Sequence, residues 1–154
     1  MSTGEVNPTE LIASLINHKA TIVEGLQYVQ SLVKGSMSIL LMTQYGIYAA
    51  RDLLGRTPIV LGEKETGFCA TFESSAFLNL GYHHYRDLGA GEIVFITPER
   101  IEVLQKPREK MKICSFLWVY YGYPTSTYEG VNVECMRNLS LIHISEPTRR
   151  RGIS

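Results

Sequence analysis

The stretch Gly35 to Gly62, GSMSILLMTQYGIYAARDLLGRTPIVLG, decides how this chain folds. It joins three short apolar runs, two turns and one charged pair without interruption. Ser36 to Thr43 is almost wholly apolar, the pattern of a strand buried on both faces. Gln44-Tyr45-Gly46 supplies a turn into a second strand, Ile47 to Ala50. Arg51-Asp52 then opens a loop that passes Gly55 and reaches Pro58. Proline lacks an amide donor, so Pro58 begins a strand or sits at an edge, and Ile59 to Gly62 is predicted to restart one directly after it. The expectation is a β-meander with a charged corner, where Arg51 and Asp52 brace the turn by hydrogen bonds to nearby backbone.

Before this unit the apolar spacing is helical. Leu11, Ile12, Leu15 and Ile16 predict a helix to about His18, capped by Asn7 with Pro8 at its first position. Ile22, Leu26, Val29, Leu32 and Val33 predict a second, capped by Thr21 and stopped at Gly35. After the unit, Phe68 to Glu73 reads as a strand, and Ser74 caps a brief helix through Leu80 that Gly81 ends. Arg86 to Gly91 reads as a loop. Glu92 to Thr97 and Ile101 to Gln105 form a hairpin about Pro98-Glu99-Arg100. The sum is two helices followed by about six strands.

The 154 residues carry 15 Lys+Arg against 15 Asp+Glu with 45% hydrophobic content, the composition of one ordinary globular domain or a piece of one. A formal charge of zero gives no electrostatic case for nucleic acid or for a membrane surface. No apolar run approaches the roughly 20 residues of a membrane span, and MSTGEVNPTE lacks a cationic and then apolar leader, so the expected location is the cytoplasm. Cys69, Cys114 and Cys135 are odd in number and lack CxxC spacing, which argues against a disulfide framework.

KPREKMK, Lys106 to Lys112, is the best loop or linker in the body of the chain. Ile113 to Tyr123 follows with the single Trp and a density of aromatics that is expected to pack on something. Val131, Val133, Cys135, Met136 and Leu139 suggest a helix beginning near Asn132. LIHISEPTRRRGIS, Leu141 to Ser154, has no periodic apolar face and looks like a non-native read-through rather than a basic tail for an acidic partner. His83-His84, between Tyr82 and Tyr85, lacks regularly spaced partners for a metal and reads as a solvent-facing loop.

Arg51-Asp52, Gly55 and Pro58, then Glu73-Ser74, Gly81, Arg86-Asp87 and Gly91-Glu92-Ile93-Val94 together resemble the motif order of the glutaminase domain of the amidophosphoribosyltransferase family. The likeness continues through Phe116-Leu117-Trp118-Val119-Tyr120-Tyr121 and Pro124 to Ser126, similar to that family's passage into its phosphoribosyltransferase domain, and covers about Thr9 to Leu139. It implies an α+β fold: part of the αββα sandwich of an N-terminal-nucleophile glutaminase, over residues 1–106, joined to the start of a phosphoribosyltransferase domain, over residues 107–140. It implies that the intact parent releases ammonia from glutamine and transfers it to phosphoribosyl pyrophosphate, using Mg, as a homo-oligomer, a tetramer. In the iron-sulfur class a cysteine at the position of Cys114 is one of four thiolate ligands of a four-iron four-sulfur cluster. The other reading of Cys114 is an inert packing thiol. Phe116, Tyr120 and Tyr121 fall at the domain junction.

The same resemblance implies what is missing. The family's nucleophile is an N-terminal cysteine whose own amine serves as base. This chain begins Met1-Ser2, and the match sets Ser2 just before a helix inside the domain. Pro8 stands where the family places a glutamine-binding aspartate, and Thr57 where it usually has Arg. No catalytic residue is therefore assigned, and the chain is expected to be an internal, inactive fragment whose exposed sheet edge favours aggregation. The alternatives are another class II glutaminase, such as glucosamine-phosphate synthase or asparagine synthetase, and a non-catalytic interaction module that keeps only the sheet.

Overall fold

Two capped helices lead the chain, as their spacing predicts. In the computed structural model, which describes residues 7–139, α1 is Pro8–Asn17 and α2 is Ile22–Leu32. Asn7 Oδ1 accepts from the Thr9 amide at 2.9 Å, and Thr21 Oγ1 accepts from the Glu24 amide at 3.2 Å, so each cap satisfies an otherwise orphaned donor. α2 stops at Leu32, short of Gly35, where Val33 turns extended. Ser2 and the stretch 141–154 lie outside the described residues.

The strands are β1 Ser38–Thr43, β2 Gly46–Arg51, β3 Val60–Lys64, β4 Gly67–Thr71, β5 His83–Asp87, β6 Ile93–Ile96 and β7 Ile101–Gln105. A short helix, α3 Ala76–Leu80, precedes β5. The strands form two antiparallel sheets, ordered β1-β2-β6-β7 and β4-β3-β5. This overturns the expected meander. β1 and β2 are a hairpin about Gln44-Tyr45, but β6 takes the second edge of β2, so β3 has no edge left there and founds the other sheet. β1 is consequently an edge strand with Met42 80% exposed, where burial on both faces was expected. Residues 83–87, expected as loop, pair with β3, although His83 and His84 do face solvent.

Alternation along the strands sets the layers. Tyr48, Ala50, Ile93 and Ile39 face the helices, joining Ile16, Leu26, Val29 and Met37 in one core. Ile47, Ala49, Val94 and Ile96 face the other way, meeting Leu61, Phe68 and Ala70 between the sheets. Outside the second sheet, Phe77 of α3 lies over Gly62, where a Cβ would come within 2.6 Å of its ring. The order is helices, sheet, sheet, helix, an α+β sandwich.

α1 and α2 approach closely at Gly25, where a Cβ would sit 2.6 Å from the Ile16 carbonyl oxygen. Backbone cannot yield as a side-chain tip does. Gly25→Ala is expected to lower stability by about 2 kcal/mol, despite the better helix propensity of Ala. Urea unfolding checks this, and an unchanged or raised midpoint would show that the helices separate freely.

Candidate functional site

Arg51 ends β2 on the face that looks between the sheets, and its guanidinium is fully buried. Nε donates to the Thr57 carbonyl at 2.8 Å, Nη2 to Gly55 at 2.7 Å, and Nη1 to the Leu88 carbonyl and to Glu129 Oε1, the latter at 2.6 Å. Asp52, next in line, points the other way and accepts from the amides of Leu54, Arg56 and Met37. Residues 52–57 thus wind around two opposite charges, and Gly55 takes the left-handed turn this needs, at φ 64°. That winding carries the chain from one sheet to the other. Pro58 is buried just before β3.

A second buried charge closes the far side. Glu92, 1% exposed, accepts from both Nη atoms of Arg86 at 2.7 and 2.9 Å and from the Gly89 amide at 2.7 Å. The carboxylate holds the Arg86 guanidinium above its ordinary pKa, chiefly through these hydrogen bonds. Arg86 and Asp87 therefore serve different partners: Asp87 accepts from the Glu129 amide at 3.0 Å.

Glu73 reaches into the region that follows the strands. Its Oε1 accepts from the Tyr128 hydroxyl at 2.7 Å and its Oε2 from the Ser126 hydroxyl. Ser74, expected to cap α3, instead donates to the Thr127 carbonyl and accepts from the Thr127 amide, so Ser75 stands at the cap without a side-chain bond. The strands β8 Thr127–Tyr128 and β9 Val131–Asn132 form a small ribbon here, and residues 133–139 are helical behind Asn132, whose Oδ1 accepts from the Cys135 amide. Arg51, Glu73 and Asp87 thus converge on residues 126–129. Gly55 and Pro58 shape the corner, and Arg86 stays within the sandwich.

Lys106 to Lys112 is irregular, but it is no free linker: the Arg108 and Lys112 amides donate to the Ala90 and Leu54 carbonyls. The aromatic segment behaves differently from expectation. In the π-helical turn Leu117–Tyr121 only Trp118 is buried, while Tyr120 and Tyr121 are 76% and 74% exposed and Phe116 is exposed too. A single turn can aim one such side chain at Tyr128, whose ring meets Trp118 edge-on at 6.0 Å, and must point its neighbours elsewhere.

Several members of this arrangement escaped the sequence reading. Gln30 donates to the carbonyls of Arg51 and Gly91, and Gln105 donates to Gln30. The signal was present for Gln30, a polar residue four positions after Leu26 on an apolar helix face. Glu129 carried only the hint of the following Gly130.

Tyr128 sets a pH dependence. Burial, then the hydrogen bond it donates to Glu73, pushes its phenol above the ordinary value near 10. A folded value raised above the unfolded one gives stability that is present below about pH 10 and lost as pH climbs past it. Burial raises the Cys69 thiol in the same sense. Tyr128→Phe is expected to flatten the alkaline fall of Tm recorded between about pH 9 and 11; parallel slopes for variant and parent would contradict it.

No protein-family model matches the chain. An amidophosphoribosyltransferase of Staphylococcus epidermidis is 33% identical over 136 residues, which is 86% of this chain. The chain superposes on glutamine phosphoribosylpyrophosphate amidotransferase from Bacillus subtilis with a TM-score of 0.77 at 26% identity, across 87% of this chain. The chain belongs to the amidophosphoribosyltransferase family. A second solved structure, described as the allosteric regulatory enzyme of purine biosynthesis, gives a TM-score of 0.78 at 27% identity across 93% of the chain. The Bacillus amidophosphoribosyltransferase was solved with ADP and GMP. The chain spans 28% of the Staphylococcus relative and 31% and 33% of the two solved chains. Its sandwich is accordingly part of the N-terminal-nucleophile glutaminase fold of the amidophosphoribosyltransferases.

An iron-sulfur cluster held by four cysteines does not fit the described residues by themselves. Among them no group of three or more His, Cys, Asp or Glu side chains converges as metal ligands. Cys69 lies on β4 beneath Phe77, Cys135 is exposed on the last helix, and the half-buried Cys114 has its amide tied to the Arg56 carbonyl.

Proposed function

We propose that residues 1–106 are the later part of the glutaminase domain of an amidophosphoribosyltransferase and residues 107–140 the junction and start of its phosphoribosyltransferase domain. The whole protein hydrolyses glutamine to glutamate and ammonia. The ammonia nitrogen then attacks the anomeric carbon of phosphoribosyl pyrophosphate, pyrophosphate leaves with its bond electrons, and phosphoribosylamine forms with inversion. The observation that supports this is the collinear match of 33% identity over 86% of the chain. In that protein the reacting groups come from elsewhere, and this stretch supplies the frame. Its exposed Phe116, Tyr120 and Tyr121 form the face that the rest of the phosphoribosyltransferase domain covers. In an iron-sulfur member, Cys114 would give one thiolate and other parts of the protein three. Mg, a tetrameric assembly and a cytoplasmic location complete the proposal; no described helix is long and apolar enough to cross a membrane.

The test is to read the source DNA on both sides of this frame and assay the complete product. A continuous frame encoding an N-terminal cysteine, whose product makes glutamate and pyrophosphate only when both substrates are present, is the expected result. Native start and stop signals bounding these residues, with no such activity, would overturn it in favour of a non-catalytic module.

A further inference from the structure

Residues 113–139 carry a core of their own. Trp118, Tyr128 and Val133, with Ile113, Leu117 and Met136 against them, form a cluster to which neither sheet contributes. Hydrogen bonds inside the segment reinforce it: Trp118 Nε1 donates to the Val131 carbonyl at 2.9 Å, and Arg137 donates to the carbonyls of Trp118 and Gly122.

Its ties to the sandwich are of another kind. They are polar and, past the Cys114 amide that donates to the Arg56 carbonyl, fall on four successive residues, 126–129, which meet Glu73, Ser74, Ser75, Asp87 and Arg51. Glu129 sits at φ 48°, the one non-glycine residue with positive φ among the described residues, and both of its sandwich contacts, to Arg51 and Asp87, hold it there. Beside these ties the seam is open. A cleft of about 430 Å³ runs between Ser74, Phe77 and Tyr82 on one wall and Thr125, Thr127 and Gly130 on the other. A separate core, a short polar attachment, local backbone strain and an unfilled seam are the physical marks of a segment that opens on its own.

We infer that residues 126–129 are a latch, and that residues 116–139 release from the sandwich as a unit while the two sheets stay folded. The preceding strap remains, since the amides of Arg108, Lys112 and Cys114 are bonded to sandwich carbonyls. Release withdraws the carboxylate of Glu129 from the buried Arg51 and so joins movement beyond residue 116 to the corner between the sheets. Its use as a link between two reaction centres rests on the proposed function; the opening does not.

Hydrogen exchange by mass spectrometry on the full chain, with Glu73→Gln and Glu129→Gln beside the parent, tests this. Peptides from 116–139 are expected to exchange faster than those covering β2 and β6 and with a weaker dependence on urea, and each variant is expected to speed them about tenfold while leaving the sheets unchanged. Should a variant fail to fold, the urea dependence within the parent decides. Equal exchange and equal urea dependence of both regions would overturn the latch, as would variants that leave 116–139 unaffected. An inactive complete protein whose 116–139 still exchanges independently would support the latch and count only against the functional reading.

Discussion

Arg51→Met is expected to destabilise the chain by about 4 kcal/mol, the largest single loss predicted for it. Methionine fills a similar elongated space and so isolates the polar contribution. It leaves the carbonyls of Leu88 and Gly55 without their donor, the Thr57 carbonyl with only the longer bond from the Ser38 hydroxyl, and Glu129 without its cation. Water cannot readily take over, because Arg51 lies fully buried at the corner between the sheets. Each orphaned buried acceptor costs about 1 kcal/mol or more, and these costs outweigh the desolvation relieved by removing a buried charge. Urea unfolding by intrinsic fluorescence reads the loss. A change under about 1 kcal/mol would mean that the corner rearranges and the four bonds are dispensable. Arg51→Lys is expected to recover only part of the loss, since an ammonium group cannot reach four acceptors spread around a planar fork.

Glu92→Ala is expected to cost about 3 kcal/mol. The carboxylate is buried, so its removal strands the Gly89 amide and opens a small void. Arg86 softens the effect, because a third of its side chain meets solvent and can be rehydrated. Glu92→Gln keeps the volume and one acceptor, and should recover about half. Both variants should also loosen the residue 88–91 turn, where the Gly91 amide donates to the Asp52 carbonyl at 2.7 Å. Exchange of the Gly91 amide checks this. A stability loss without faster exchange at Gly91 would place the damage elsewhere.

Local chemistry made much of the fold legible. Asn7, Thr21, Gly81 and Asn132 mark helix ends through groups that act within a few residues, and the hairpins at Gln44-Tyr45 and Pro98 to Arg100 follow from turn chemistry alone. The charged corner was legible too, since an Arg-Asp pair between apolar runs has little to bond except nearby backbone. Ser74 shows the limit of such reasoning. Its hydroxyl has a suitable helix beside it and a better partner 53 residues away.

By itself, then, the sequence determined the two leading helices, the hairpins and the family, because periodicity, capping and motif order are properties of neighbouring residues, but it missed β5 and the exposed face of β1. Only the tertiary structure decided which strands share a sheet. β2 has two edges, and whether β3 or β6 takes the second depends on how residues 52–57 wrap around Arg51 and Asp52, a competition between segments far apart in the chain. The joining of Arg51, Glu73 and Asp87 to residues 126–129 was likewise beyond the sequence. Each of those side chains is polar, and its bond to the latch residues exists only because the packed layers bring two distant stretches together.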